Sequence, residues 1–343
     1  MPDSPVNSRR SARAGRAINV NGYMVNVLSE LAQHVATGLQ RMPKTLSSMY
    51  FYDDAGSRLF QQIMALPEYY PTRTEFAIFR EHGAAIAAAL APAAGGEFAL
   101  VELGAGDGAK TKLLLRELQR SGTTFTYAPV DISAGAMTGL VAALRQELPD
   151  LQVAPVVADY ATALGQLRTW PGSKAVLFLG SNIGNFGPAE RLDFLRQLAA
   201  PLAPADRLLI GFDLQKDPRR IRAAYDDAQG VTAAFNLNLL TRLNRELGAD
   251  FDLAHWQHYT DYNPLTGAVR SFLVSARAQQ VHFAALDETV DFAAWEVIHT
   301  ENSYKFTLPQ IHELAAGAGL RVVTYFTDAA TDFADVVLAP HAE

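Results

Sequence analysis

Val101-Glu102-Leu103-Gly104-Ala105-Gly106-Asp107-Gly108-Ala109-Lys110 decides how the rest of the chain is read. An apolar run, Phe98 to Leu103, leads in, and a helix-like run, Lys110 to Leu118, leads out. Strand, glycine turn and helix together bring a ligand against bare backbone. Glycine has no Cβ to hold the ligand off, and the next helix opens with unpaired N–H groups. The spacing is G-x-G-x-G, unlike the dinucleotide fingerprint G-x-G-x-x-G and unlike the P-loop.

Outward from this turn the chain alternates strands and helices. The pattern predicts Phe98–Leu103, Lys110–Leu118, Phe125–Val130, Ala134–Leu148, Gln152–Val157, a short helix near Ala161–Leu167, Ala175–Leu179, Ala189–Leu202 and Leu208–Phe212. Such alternation builds a doubly wound, mostly parallel sheet whose ligands sit at the carboxyl ends of its strands. At Asp217 the rhythm breaks. Helices are expected over Arg219–Ala228 and Thr232–Leu247, and strands over Arg270–Ala276 and Val281–Phe283. Sheet elements return with a helix over Thr307–Gly319 and a closing hairpin, Arg321–Phe326 with Phe333–Leu338, whose last strand runs antiparallel. Upstream, helices are expected over Val25–Met42, Leu59–Leu66 and Glu75–Leu90. Between the last two, Pro67-Glu68-Tyr69-Tyr70-Pro71-Thr72-Arg73 reads as a loop stiffened by two prolines. The expected fold is α/β: a Rossmann-like sheet with a second α+β lobe made by the N-terminal segment and the insertion. The expected division is a disordered tail over 1–20, a substrate lobe over 21–73 plus 215–303, and a ligand-binding sheet domain over 74–214 plus 304–343.

Composition narrows the class. The chain has 343 residues, 49% hydrophobic and 19% charged, as a globular protein does. A net charge of −7 argues against a general nucleic-acid binder. With no cysteine there is no disulfide framework and no thiolate nucleophile or metal ligand, which fits a reducing cytoplasm. No apolar run approaches a membrane span. The basic residues Arg9, Arg10, Arg13 and Arg16 precede no apolar core and do not read as a secretory signal. The expectation is a cytoplasmic monomer acting on a small molecule, with no nucleic-acid or membrane partner.

The candidate ligand residues lie at strand ends. Gly104, Gly106 and Gly108 form the turn. An acid before it, Glu102, and an acid ending the next strand, Asp131, suit S-adenosylmethionine better than NAD, with Asp131 placed to accept ribose hydroxyls. Asp159 and Tyr160 follow the third strand and suit the adenine, and Lys110 suits the cofactor's carboxylate. Asn185 sits past the fourth strand, where a methyl acceptor belongs. Tyr50, Tyr52, Tyr69 and Tyr70 bring hydroxyls to an apolar wall. His255 and His258 lack a third ligand nearby and read as loop or surface histidines, so no metal is expected; His299 is a pocket neighbour at most.

Several motifs together carry a family resemblance. These are Leu66-Pro67-Glu68-Tyr69-Tyr70-Pro71-Thr72-Arg73, Val101-Glu102-Leu103-Gly104, Leu179-Gly180-Ser181 with Ile183-Gly184-Asn185, Ala224-Tyr225-Asp226-Asp227 with Gly230-Val231-Thr232, Phe235-Asn236, and Thr300-Glu301-Asn302-Ser303 with Lys305-Phe306. From about Pro43 onward the chain resembles the histidine-specific Nα-methyltransferases of ergothioneine biosynthesis, a family with fungal relatives acting on tryptophan derivatives. The resemblance implies successive transfer of three methyl groups from S-adenosylmethionine to the α-amine of histidine, giving hercynine. It also implies roles. Tyr69 holds the amine, and Asn185 and Tyr225 hold amine and carboxylate; these three are the candidate catalytic residues. Glu301 and Ser303 grip the imidazole. Tyr52 and Phe60 wall the pocket. Gly104, Lys110, Asp131, Asp159 and Tyr160 hold the cofactor, with Gly106 beside them in the turn.

The chemistry suits these side chains. Methyl transfer from a sulfonium is an in-line displacement that needs a neutral nitrogen and alignment. Hydroxyls and an amide aim the nitrogen without adding charge, and aromatic faces favour the growing cation. One position departs from the family: Ser271, in Val269-Arg270-Ser271-Phe272-Leu273, stands where the histidine enzymes usually carry methionine. The smaller residue leaves room for another amino acid, such as a tryptophan derivative. A nicotinamide oxidoreductase and a catalytically silent binder are the rivals from other classes. The glycine spacing speaks against the first, and the intact Tyr69, Asn185 and Tyr225 against the second.

Overall fold

The computed structural model describes residues 20–92, 95–170 and 172–341. The tail expected over residues 1–20 lies outside them, except Val20, which opens a helix.

An eight-stranded sheet forms the centre. Its order is Leu320–Thr327, Phe333–Pro340, Arg207–Asp213, Ser173–Phe178, Phe98–Leu103, Phe125–Asp131 and Gln152–Val153, with Val156–Val157 also paired to Phe125–Asp131. Phe333–Pro340 is antiparallel to both neighbours, as the hairpin reading predicts. The adjacent strands from Arg207–Asp213 to Gln152–Val153 pair parallel. Both faces are covered, so strand residues are apolar whichever way they point. In Phe98–Leu103, Ala99, Val101 and Leu103 join the core on one face with Leu164, Leu195 and Ile311. Phe98 and Leu100 join the other with Ile78, Leu114 and Leu140.

A smaller four-stranded sheet has the order Lys44–Thr45, Val297–Tyr304, Ala268–Ser275 and Trp256–Asn263. Its first strand comes from the N-terminal segment and runs parallel to Val297–Tyr304, with Lys44 opposite Ile298. One apolar cluster joins Leu31, Leu39, Phe51 and Ile63 to Leu240, Phe251, Leu273 and Ile298. Each fully buried Leu or Ile there contributes about 1.5–3 kcal/mol relative to exposure.

Three sequence expectations change. The stretch read as a stiff loop is largely helix: Tyr70–Leu90 begins inside it, with Pro71 in the first turn, where the missing N–H costs nothing. The helix expected over Arg219–Ala228 is shorter, Pro218–Ala223, and Tyr225 lies in the turn after it. The strands Trp256–Asn263, Glu288–Phe292 and Val297–Tyr304 went unread.

Candidate active site

The ligand turn sits at the carboxyl end of Phe98–Leu103, where Gly104, Gly106 and Gly108 all take positive φ. A Cβ on Gly106 would meet nothing within 4 Å, so this part of the turn is open. A Cβ on Gly104 would come within 2.9 Å of the Tyr160 hydroxyl, so that tyrosine leans over the turn. Its ring packs against Phe178 and Phe194, with centroids 5.4 and 5.8 Å away. The Asp131 carboxylate accepts the Gly106 N–H at 2.9 Å and the Ser133 N–H at 2.8 Å. One carboxylate thus sets the turn and keeps lone pairs for a diol. Asp159 caps the helix Tyr160–Leu167, accepting the Thr162 N–H at 2.7 Å through one oxygen. An open glycine turn with a carboxylate on its rim fits S-adenosylmethionine.

Two residues near the turn already have protein partners. Glu102 is buried, accepts the Thr111 hydroxyl at 2.7 Å and the Tyr127 hydroxyl, and ties the strand to its neighbours. Burial pushes its pKa up to about 7 against those hydrogen bonds. Lys110 pairs with buried Glu75, whose other oxygen accepts the Gly180 N–H at 2.7 Å. Its ammonium therefore sits between the turn and the end of Ser173–Phe178. Asn182, which the sequence did not single out, is there too: its amide donates to the Leu179 carbonyl at 2.9 Å and lies near Gly104.

The second group of residues forms a chain of contacts. Tyr52 packs edge-on to Phe60 at 5.5 Å, Phe60 edge-on to Tyr69 at 6.1 Å, and Tyr69 edge-on to Tyr225 at 6.1 Å. Phe235, unassigned from sequence, meets both Tyr52 and Phe60 at 5.6 and 5.8 Å. Tyr69 is held by the motif around it: the Arg73 guanidinium, one turn into the helix, reaches back to the carbonyls of Leu66, Pro67 and Tyr69. The Tyr225 hydroxyl lies 2.8 Å from Ser303 Oγ. Burial pushes the hydroxyls of Tyr69 and Tyr225 well above the ordinary phenol value, so both remain protonated.

Glu301 and Ser303, two residues apart, share a face, and a bulge just before them decides which face it is. His299 pairs with Phe272 and Glu301 with Ser271, leaving Thr300 as the extra residue. Without it, alternation from Ile298 would turn Glu301 to the opposite face. The Thr300 hydroxyl lies 3.0 Å from both Asn236 Oδ1 and the Ser271 carbonyl, pinning the bulge to the helix Val231–Leu247. Ser271 is buried directly across from Glu301. Burial raises the Glu301 carboxyl to about 7, opposed by the nearby Lys305 ammonium.

Some candidates are placed differently. Asn185 is exposed, and its side-chain amide makes no hydrogen bond among the described residues. Its turn packs on the Val297–Tyr304 strand, where a Cβ on Gly184 would strike the Tyr304 carbonyl at 2.7 Å. His299 lies on the strand face opposite the Glu301 side chain, beside Phe272 and Asn302. His258 is neither loop nor surface: its Nε2 lies 3.0 Å from the Tyr225 carbonyl. His255 pairs with Asp252.

Comparison with known proteins places the chain in a family. Residues 31–340 match the family model described as histidine-specific methyltransferase, SAM-dependent. The chain is 45% identical to a histidine N-alpha-methyltransferase of Mycolicibacterium smegmatis, over 88% of this chain and 92% of that protein. It is 40% identical to the histidine N-alpha-methyltransferase of Mycobacterium tuberculosis, over 90% of this chain and 97% of that protein. It is 28% identical to ergothioneine biosynthesis protein 1 of Neurospora crassa, over 83% of this chain and 32% of that protein. With residues 31–340 matched by the family model and relatives 40–45% identical over most of both chains, this protein belongs to the family of histidine-specific, S-adenosylmethionine-dependent methyltransferases.

Proposed function

We propose that the protein methylates the α-amine of L-histidine in successive steps to trimethylhistidine (hercynine), in ergothioneine biosynthesis. The observation that carries this reading is the hydroxyl pair Tyr225–Ser303, 2.8 Å apart, sharing a buried face with Glu301 at the mouth of the sheet. S-adenosylmethionine supplies the electrophilic methyl when bound at the Gly104–Gly108 turn, with Asp131, Asp159, Tyr160 and Lys110 around it. Residues 74–214 and 304–343 form the cofactor domain of this reading, and residues 21–73 with 215–303 the amino-acid lobe. Glu301 accepts an imidazole N–H, and Ser303 reaches the other ring nitrogen. Tyr225 and Asn185 hold the α-carboxylate and amine, and Tyr69 orients the amine. The tyrosine hydroxyls keep their protons at neutral pH, so the site aligns the nitrogen rather than deprotonating it. Tyr52, Phe60, Tyr69 and Phe235 offer ring faces to the cation that grows with each methyl.

The competing reading, another free amino acid such as a tryptophan derivative, draws on the small Ser271 opposite Glu301; the acid and hydroxyl beside it favour an imidazole. The protein acts as a cytoplasmic monomer on a free amino acid, without a nucleic-acid or membrane partner. The net charge of −7 speaks against a nucleic-acid partner, and no described helix is long and apolar enough to cross a membrane. Incubation with methyl-labelled cofactor and each free amino acid in turn should yield mono-, di- and trimethylhistidine. Product from another amino acid and none from histidine overturns the assignment.

A further inference from the structure

Lys305 is a fully buried ammonium behind the proposed substrate groups. Its three N–H donors are all used: on Asp213 Oδ2 at 2.9 Å, Tyr225 Oη at 2.7 Å and Ser303 Oγ at 2.8 Å. Asp213 is also fully buried and accepts the Tyr70 hydroxyl at 2.9 Å and the Lys216 ammonium. One carboxylate therefore lies between two lysines. The neighbouring Arg220–Asp332 pair, 2.6 Å apart, balances itself. The cluster keeps one positive charge more than it needs. Glu301, the other acid facing Lys305, takes none of its hydrogens.

A buried ammonium is costly, and stability alone does not explain this one. Asp213 would remain paired with Lys216 and Tyr70 if Lys305 were neutral. The spare charge instead abuts two hydroxyls that are 2.8 Å apart. Each already accepts from Lys305, and one donates to the other, so one O–H remains to point outward. An anion accepting it from Tyr225 gains a charge-backed hydrogen bond and neutralises the cluster.

We propose that Lys305 is a positioning residue that makes the site read the substrate's α-carboxylate, its charge reaching that group through the Tyr225 hydroxyl. The site thereby selects an amino acid over the matching amine or alcohol. The inference rests on the placement of the carboxylate at Tyr225 in the proposed function.

The test is calorimetric binding to the full chain saturated with S-adenosylhomocysteine, comparing L-histidine with L-histidinol, which carries a hydroxymethyl in place of the carboxylate. The native protein should prefer histidine by about tenfold or more, and Lys305→Met should erase most of that preference. Affinity for S-adenosylhomocysteine should stay within about twofold, since the turn is untouched. The idea is overturned if the native protein shows no preference, if Lys305→Met keeps it, or if the variant loses both ligands equally. Failure of the histidine assignment shows separately, as native turnover of a different amino acid. That amino acid and its own alcohol then take the same comparison.

Discussion

At Glu301 burial and a neighbouring cation pull against each other. Burial prevails and lifts the carboxyl to about 7, while Lys305 opposes it. That places its proton affinity close to the ordinary imidazole value of about 6.5, so carboxyl and ring can share one proton with little bias. Ser303 and Glu301 are two residues apart on one strand face and reach the two ring nitrogens from one side. Glu301→Ala removes an acceptor from a buried site and leaves a ring N–H unpaired. Histidine kcat/KM should fall by about a hundredfold, equivalent to roughly 3 kcal/mol. Binding of S-adenosylhomocysteine should hold within about twofold, because Asp131 and the glycine turn belong to the other sheet. Unchanged histidine kinetics would take Glu301 out of the site.

The strand Val297–Tyr304 owes its aim to one irregularity. Thr300 is the surplus residue, and its hydroxyl satisfies the Asn236 carbonyl oxygen inside the lobe. Thr300→Val leaves that buried oxygen unpaired, at a cost of about 1–3 kcal/mol, and frees the bulge. Urea unfolding should show the loss, and histidine affinity should weaken while S-adenosylhomocysteine affinity does not. Thr300→Ser keeps the hydroxyl and should restore both; weak histidine binding in the Ser variant would mean the bulge is held by something else. The same irregularity explains what the sequence concealed. Strands of the large sheet are apolar on both faces, so Phe98–Leu103 can be read off directly. Trp256–Asn263 is largely polar, and Val297–Tyr304 breaks its own alternation at Thr300, so neither shows a clean two-residue period. Tyr69, Tyr225, Glu301 and Ser303 stood out through motif resemblance, and the structure brings them to one face. Lys305 is legible only as a motif residue without a role, and Asp213 not at all, because a lysine's burial is created by Tyr70, Asp213, Lys216 and Tyr225 arriving from distant parts of the chain.

Over the whole molecule, buried polar clusters stand where its parts join. Asp213 and Lys305 lie where the chain leaves the large sheet and returns to it, and the Phe306 N–H donates to the Asp213 carbonyl at 2.9 Å. Beneath the glycine turn a second cluster holds Glu75, Lys110, Glu102 and Asp335. Burial, with Glu75 alongside, raises the Asp335 carboxyl well above the usual range. Glu102 and Asp335 make stability depend on pH in a direction opposite to that of ordinary salt-bridged carboxylates. Glu102 has a folded pKa of about 7 against a reference of 4.5. Between those values the folded chain holds a proton that the unfolded chain has released, so stability falls as pH rises. The contribution is complete below about 4.5 and gone above about 7, and amounts to roughly 3 kcal/mol. His258 and His299, both lowered by burial, act in the opposite sense, because the unfolded chain binds their protons first. Glu102→Gln isolates the one group: its amide can accept from Tyr127 and donate to Thr111, and it does not titrate. In urea titrations of both proteins, the histidine contribution cancels. The Gln variant should gain on the native protein by about 2–3 kcal/mol between pH 5 and pH 8. A difference that stays constant across that range would mean Glu102 is ionised beneath the turn throughout, and the strand end would then carry a charge next to the sulfonium.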